Sequence, residues 1–133
     1  MDLDATRATL AAVFAGHPEV RFALLFGSVA RGEARPDSDV DVAVAGEADV
    51  LALMAEISLA LGREAHVVPV ETASIPLNDE LLRDGLVVHD SPRGDAADWR
   101  ARTLATQELD RPAYRRMVGA FVAKLARSGG AAW

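Results

Sequence analysis

One stretch constrains this chain more than any other part of the sequence: residues 27–42 read GSVARGEARPDSDVDV. A Gly-Ser pair follows an apolar run, and aspartates then occupy every second position, at Asp37, Asp39 and Asp41. Side chains two residues apart on a β-strand point to the same side of the sheet. We therefore expect Asp39 and Asp41 to present two carboxylates to one side, with Asp37 able to join them from the preceding loop.

The paired acids indicate a cation site. Two close carboxylates repel each other, and a bound cation relieves that repulsion. Oxygen ligands of this kind suit a hard divalent ion such as Mg²⁺ or Mn²⁺. A calcium loop of the EF-hand type is excluded, because Val42 and Ala48 stand where that loop needs Gly and Glu. We therefore predict that Asp39 and Asp41 hold Mg²⁺ or Mn²⁺.

The Gly-Ser pair lies where a predicted strand turns into a short helix. Glycine lets the backbone approach an anion closely, and the amides that open a helix point at that anion. A Walker phosphate loop is absent, since the motif is missing and the only lysine is Lys124. The candidate nucleotide-binding residues are Gly27, Ser28, Arg31, Arg35 and Ser38. A phosphate cradle followed by paired carboxylates is the combination used in metal-assisted phosphoryl or nucleotidyl transfer.

The hydrophobic pattern predicts alternating helices and strands. Strands are expected at residues 20–26, 40–44, 65–70 and 86–89, and helices at 4–15, 28–33 and 50–61. Asn78 is expected to cap a short helix that ends at Asp84. From Asp95 onward the pattern is helical, and the segment Asp110-Arg111-Pro112 predicts a break where a new helix starts. This order indicates a small α/β or α+β domain with a C-terminal helical arm.

Length and charge limit the class of protein. The 133 residues fit a single domain, which we divide into a core, residues 1–92, and an arm, residues 93–133. The net charge of −6 argues against a protein that binds nucleic acid mainly through its phosphates, and we expect no direct DNA binding. The arm nevertheless holds eight of the 14 Lys and Arg residues and only four of the 20 Asp and Glu residues. Such a basic arm is suited to contact another molecule, although an exposed helix of mixed charge is the alternative.

The cysteine content, the N-terminal sequence and the length of the apolar runs bear on the cell compartment. The chain has no cysteine, which excludes disulfides and thiol catalysis. The N-terminus, MDLDATRATL, is acidic and lacks the apolar segment of a signal peptide, and the apolar runs are too short to span a bilayer. We therefore expect a cytoplasmic protein without a membrane partner.

The spacing of the opening motif resembles a known family. Gly27-Ser28, ten further residues and then Asp39-x-Asp41 resembles the GS-x10-DxD signature of the DNA polymerase beta nucleotidyltransferase superfamily. The longer GSVARGEARPDSDVDVAV is similar to the minimal nucleotidyltransferases (MNT proteins) of bacteria and archaea. The resemblance implies an α+β nucleotidyltransferase fold, in which helices flank a small mixed β-sheet and a helical arm follows. It also implies Mg²⁺ on Asp39 and Asp41, with Gly27 and Ser28 holding the triphosphate of ATP.

The same resemblance implies a partner. Family members commonly pair with a HEPN-domain RNase toxin, and some transfer AMP from ATP to a tyrosine of that toxin. The resemblance therefore implies an antitoxin that acts as an adenylyltransferase on a HEPN toxin. Two alternatives remain open. The chain can be a module of the same fold that neutralises its partner by binding alone, or an enzyme that adenylylates a small molecule.

One position departs from the family pattern. The family's third carboxylate stands on the strand after the segment GRE, and the register places His66 there. Histidine is a poor ligand for Mg²⁺, although it can bind Mn²⁺ or act as a neutral base. Glu64 lies on the same side one pleat earlier and can partly substitute, whereas Glu71 falls on the other face. The candidate catalytic residues are therefore Asp39, Asp41 and His66, and the substitution predicts weakened or lost activity if His66 is only a strand residue.

Overall fold

The computed structural model describes residues 2–128, so the end of the predicted arm, residues 129–133, lies outside the described residues. The elements are α1 (Leu3–Ala15), β1 (Val20–Phe26), α2 (Gly27–Ala30), β2 (Val40–Gly46), α3 (Val50–Leu61), β3 (Ala65–Pro69), α4 (Ile75–Asp84), β4 (Leu86–Asp90) and α5 (Asp95–Arg127), with a short 3-10 helix (Val70–Thr72) before α4.

The four strands form one mixed sheet in the order β3-β2-β1-β4. Strand β1 pairs antiparallel with both β2 and β4, whereas β2 and β3 run parallel. A parallel pair needs a crossover connection, and α3 supplies it between β2 and β3. This mixed sheet with helices packed on it confirms the predicted α+β class.

The sheet separates two apolar clusters because successive side chains of a strand point to opposite faces. Helices α1 and α3 cover the first cluster, which includes Leu10, Phe14, Leu25, Val40, Val42, Val44, Leu53 and Ile57. Helices α4 and α5 cover the second, which includes Phe22, Leu24, Phe26, Ala43, Ala45, Leu81 and Ala96. Since the valines of β2 face the first cluster, Asp41 lies on the second face, the side of α4 and α5.

Several predicted ends of helices and strands are confirmed, and the residues at those ends explain them. Strand β1 and helix α3 have the predicted bounds. Asp49 accepts a hydrogen bond from the Ala52 amide at the start of α3, and Gly62 ends the helix in the left-handed conformation, with a φ of +64°. Strands β2 and β4 extend one or two residues beyond the prediction, to Gly46 and Asp90, whereas β3 stops one residue early.

The predicted start of α4 is wrong. The helix begins at Ile75 rather than near Asn78, which lies inside it. Ser74 caps the helix, because its hydroxyl oxygen accepts a hydrogen bond of 3.2 Å from the Leu77 amide. Pro76 then occupies the first turn, where a missing N–H group costs little.

The predicted break at Pro112 is also wrong. Helix α5 runs for 33 residues without interruption and contains Pro112 in its interior. Proline removes one backbone hydrogen bond, here the one to the carbonyl of Glu108, while the turns on both sides keep theirs. Arg111, directly before the proline, is fixed to α4 by a 2.6 Å contact with Asp79. The bonded turns on either side therefore outweigh the local defect.

Helix α5 has a packed first half and an exposed second half. Trp99 lies against Phe22 with ring centroids 5.7 Å apart, and buried Gln107 donates hydrogen bonds to the Ile75 carbonyl and to Asp79. Beyond Arg111 the large apolar side chains are mostly exposed, as for Phe121, of which 62% is accessible. Within residues 2–128, no helix combines the length and apolarity needed to cross a membrane.

Candidate active site

Three neighbouring strands bring the motif residues together at one end of the sheet. Strand β1 ends at Phe26, and Gly27 begins α2. In the strand register Phe26 lies opposite Asp41, and Asp41 lies opposite His66 of β3. Asp39 stands directly before β2. The Gly-Ser turn, the two acids and the histidine therefore form one row across β1, β2 and β3.

Gly27 fits closely against Asp41. Its φ is +78°, a conformation that L side chains rarely adopt. A Cβ atom at this position would overlap the Asp41 carboxylate, with the Cγ atom of Asp41 at 3.2 Å and its Cβ atom at 3.4 Å. Only glycine therefore allows this turn to pass so near the acid. The neighbouring Ser28 is half-buried in the same turn.

Asp39 and His66 of this row form an exposed group with Glu64. The Nε2 atom of His66 lies 3.1 Å from Oδ2 of Asp39 and 3.6 Å from Oε1 of Glu64. One ligand atom from each of the three residues lies within 4.8 Å of the others. Asp37 stands in the exposed loop and does not belong to this group. The three side chains can therefore reach a common ion.

The surroundings of Asp41 disfavour the charged form of its carboxyl group, and a bound cation would stabilise that form. Burial is the main cause that raises the pKa of Asp41 above its ordinary value. The charge of His66 lowers this pKa, whereas those of Asp39 and Glu80 raise it further. A partly buried carboxylate with acidic neighbours is stabilised in its charged form by a nearby positive charge. Glu80, on α4, was missed by the sequence analysis because nothing near the motif signals it.

Arg31 lies between α2 and α4 and is held by acidic side chains. Its Nε atom donates to Glu33 at 3.1 Å, and its Nη1 atom lies 3.7 Å from Glu80 and 3.6 Å from Asp84. The hydrogen bond to Glu33 is the main cause that raises the pKa of Arg31. The structure thus places Arg31 near Asp41, whose pKa it lowers, but engaged by carboxylates of its own.

The loop before Asp39 is fastened by a residue that the sequence analysis did not assign. Arg63 donates from Nη1 to the carbonyls of Arg35, at 2.8 Å, and Ser38, at 3.1 Å. The Ser38 hydroxyl oxygen closes the loop by accepting the Arg35 amide at 2.7 Å. Arg63 thus ties the acidic loop to the start of β3. Arg63 belongs to the segment Gly62-Arg63-Glu64, which is similar to the family pattern, so the sequence did offer a signal for this residue.

Glu71 lies away from this end of the sheet. Its carboxylate accepts a hydrogen bond of 2.9 Å from the amide of Gly46, the last residue of β2. Asp39 and Asp41 stand at the other end of that strand. Glu71 is therefore placed away from the acids, but it lies in the short 3-10 helix after β3 and not on the opposite face of that strand, where it was predicted.

The donor set at the row fits a divalent cation. Asp39, Asp41 and Glu64 offer carboxylate oxygens, and His66 offers an imidazole nitrogen. Mg²⁺ prefers the oxygens, whereas Mn²⁺ and later transition metals also accept the nitrogen. The tight Gly27 turn beside Asp41 leaves room for a ligand where a side chain would intrude.

Comparison with known proteins is consistent with this geometry. The family model described as "Polymerase beta, Nucleotidyltransferase" matches residues 8–93, a span that contains every residue of the row. A solved structure named as a candidate minimal nucleotidyltransferase is 34% identical, with a TM-score of 0.51, over 65% of this chain and 95% of its own. No curated protein matches the sequence.

Two more solved structures share the fold over most of both chains. A chain of a toxin–antitoxin complex with AMP-PNP has a TM-score of 0.73 at 21% identity, covering 88% of this chain and 98% of its own. A chain from the complex of a tri-AMPylated Shewanella oneidensis HEPN toxin with its MNT antitoxin has a TM-score of 0.69 at 19% identity, covering 92% and 99% respectively. These similarities establish the same fold.

Proposed function

We propose that this chain, which belongs to the polymerase beta nucleotidyltransferase family, is an MNT-type antitoxin that transfers AMP from ATP to a HEPN-domain toxin. The observation that carries the proposal is the row formed by Gly27, Asp41 and His66 across three strands, with Asp39 beside it. The similar chains from a complex with AMP-PNP and from a complex with an AMPylated toxin support the nucleotide and the acceptor.

The roles of the residues follow from their positions. Asp39 and Asp41 would hold Mg²⁺ or Mn²⁺, which when bound neutralises phosphate charge. Gly27 and Ser28 would hold the triphosphate. In the transfer, the acceptor oxygen bonds to the α-phosphorus, the bond from that phosphorus to the bridging oxygen breaks, and pyrophosphate leaves. The proton of the acceptor hydroxyl would pass to solvent, because both carboxylates would be engaged by the cation.

Further binding residues are assigned in the same proposal. Arg35 is exposed on the loop before the acids and can turn towards a phosphate. Arg31 would assist only by exchanging one of its carboxylate partners for the nucleotide. Ser38 contributes by shaping this loop, since its side chain already accepts the Arg35 amide. The protein would act in the cytoplasm, where ATP and an intracellular toxin are available.

The second half of α5 supports a protein partner. Residues 1–92 would form the catalytic core and residues 93–133 the arm. The large exposed apolar side chains of this second half are Met117, Val118, Phe121 and Val122, and Leu104 and Leu109 precede them on the arm. Residues 111–127 contain five basic and no acidic side chains. An apolar surface with a basic rim fits a partner whose apolar surface is flanked by carboxylates.

One observation favours a second candidate function, neutralisation by binding alone. His66 stands where the family's third carboxylate is expected, and a site that lacks this acid can retain the fold and the partner surface. The chain would then block the toxin by occupancy. This alternative leaves the arm unchanged in its role and removes only the transfer step.

The two candidates are separated by co-expression with the cognate HEPN toxin. We expect the wild-type chain to restore growth, and the double variant Asp39→Asn/Asp41→Asn to co-purify with the toxin without restoring growth. Asp37→Asn is the matched control, because this acid lies outside the group, and it should restore growth fully. Full rescue by the double variant would establish neutralisation by binding and refute the transfer proposal.

A further inference from the structure

The group Asp39, Glu64 and His66 has mixed oxygen and nitrogen donors. We propose that these three side chains form a site that prefers a transition metal, Mn²⁺ or Zn²⁺, over Mg²⁺. The inference rests on the proposed function, because Asp39 belongs to both ligand sets and His66 lies opposite Asp41 in the strand register.

The two distances from His66 to the acids are close to those between neighbouring ligands of one ion. Transition metals bind imidazole nitrogen and carboxylate oxygen at about 2.0–2.2 Å. Two ligands at that distance, separated by the angles of an octahedral or tetrahedral site, lie roughly 3.0–3.5 Å apart. His66 Nε2 is 3.1 Å from the Asp39 oxygen and 3.6 Å from the Glu64 oxygen. The three ligand atoms lie within 4.8 Å of one another, so rotation of the exposed carboxylates would bring them around one ion.

The backbone holds the three side chains in place. The amide of Val40, the residue after Asp39, donates to the carbonyl of Glu64 at 2.9 Å. His66 lies in β3, paired in register with β2. Arg63 fastens the loop before Asp39. The ligands therefore stand in or directly before two paired strands, which reduces the conformational entropy lost when a metal binds.

The donor chemistry decides which metal is preferred. Mg²⁺ demands oxygen ligands and keeps several waters, whereas an imidazole ligand suits Zn²⁺ and other first-row transition metals. The affinity of such a mixed site rises from Mn²⁺ along the transition series. His66 thus changes the preference of the site rather than simply removing a ligand. The competing explanation is a surface ion pair between His66 and the two acids, a type of contact that contributes little stability.

Direct binding measurements test the inference without nucleotide or partner. Mn²⁺ is titrated into the purified full chain while the electron paramagnetic resonance signal of free Mn²⁺ is followed, with and without excess Mg²⁺. The variant His66→Asp provides an all-oxygen site, and Glu64→Gln removes one charged ligand. His17→Gln is the matched control, because His17 also contacts two carboxylates but through opposite ring nitrogens, which cannot chelate one ion.

We expect the wild-type chain to retain Mn²⁺ in excess Mg²⁺ and to release it to Zn²⁺. The His66→Asp variant should lower the Mn²⁺ over Mg²⁺ preference at least about tenfold, since even an outer-shell partner contributes 10–100-fold to metal affinity. Circular dichroism confirms that each variant is folded. No Mn²⁺ binding by the wild type, or an unchanged preference in His66→Asp, would overturn the inference. If His66-dependent binding is found but no AMP is transferred, the metal site stands and the proposed function fails.

Discussion

Substituting Gly27 by alanine tests the close approach of the α2 turn to Asp41. A side chain at a φ of +78° costs about 1–2 kcal/mol, because the Cβ atom crowds the backbone carbonyl. The added Cβ would also overlap the Asp41 carboxylate, and overpacking of this kind costs about 1–3 kcal/mol. We therefore expect Gly27→Ala to lower the free energy of unfolding by about 2–5 kcal/mol.

Gly32 offers a matched control for this prediction. Its φ of +74° is nearly the same, but a Cβ atom there meets no atom within 4 Å. Gly32→Ala should therefore show the backbone cost alone, about 1–2 kcal/mol. The difference between the two variants isolates the contact between residue 27 and Asp41.

Urea denaturation followed by circular dichroism measures both variants, and a double-mutant cycle completes the test. Asp41→Ala removes the overlapping carboxylate and leaves only the Asp41 Cβ atom at 3.4 Å, an ordinary contact. In that background Gly27→Ala should cost no more than Gly32→Ala, which gives a coupling energy of about 1–3 kcal/mol. Equal costs for Gly27→Ala and Gly32→Ala, or a coupling near zero, would refute the reasoning.

Three further predictions concern the core, pH and the arm. Phe14→Ala should lower the free energy of unfolding by about 3–5 kcal/mol, since this side chain is fully buried, while Leu59→Ala at an exposed position should change it by less than about 0.5 kcal/mol in urea denaturation. Hydrogen bonds to Glu19 and then Glu56 raise the pKa of His17 above 6.5, so its stabilisation is complete below about pH 6.5 and is lost as the pH rises through the folded pKa. The wild-type urea midpoint, relative to that of His17→Gln, should fall over this range; a constant difference would contradict the assignment. Phe121→Asp should weaken toxin binding at least about tenfold by calorimetry, with Leu59→Asp unchanged, and equal affinities would exclude the arm as the partner surface.

The fold was predictable where local rules act alone. Strand β1 and helix α3 have sharp apolar patterns and turn residues at both ends, and their bounds matched the prediction. The helix break predicted at Pro112 does not occur. The hydrogen-bonded turns on both sides and the contact of Arg111 with Asp79 outweigh the one backbone hydrogen bond that proline removes. At α4, the serine before Ile75 was the true cap, and Pro76 in the first turn was an available signal that the prediction from Asn78 overlooked.

The site was predictable in part, because its acids lie within one motif. The alternation around Asp39 and Asp41 fixes their relative direction on a strand, and His66 was placed beside them by the segment before β3. The contacts of Arg31 with α4 depend on how that helix packs, about 50 residues further along the chain. No local pattern encodes such a contact. The ion pairs of Arg31 and the effect of Glu80 on the pKa of Asp41 could therefore be seen only in the structure.

Transfer of label from ATP carrying ³²P at its α-phosphate tests the central claim most directly. The cognate HEPN toxin is incubated with the chain and Mg²⁺ or Mn²⁺, and the Asp39→Asn/Asp41→Asn variant serves as the control. The account predicts label on the toxin with the wild-type chain and none with the variant. An intact complex that carries no label with either metal would contradict the account and leave a nucleotidyltransferase fold that acts by binding.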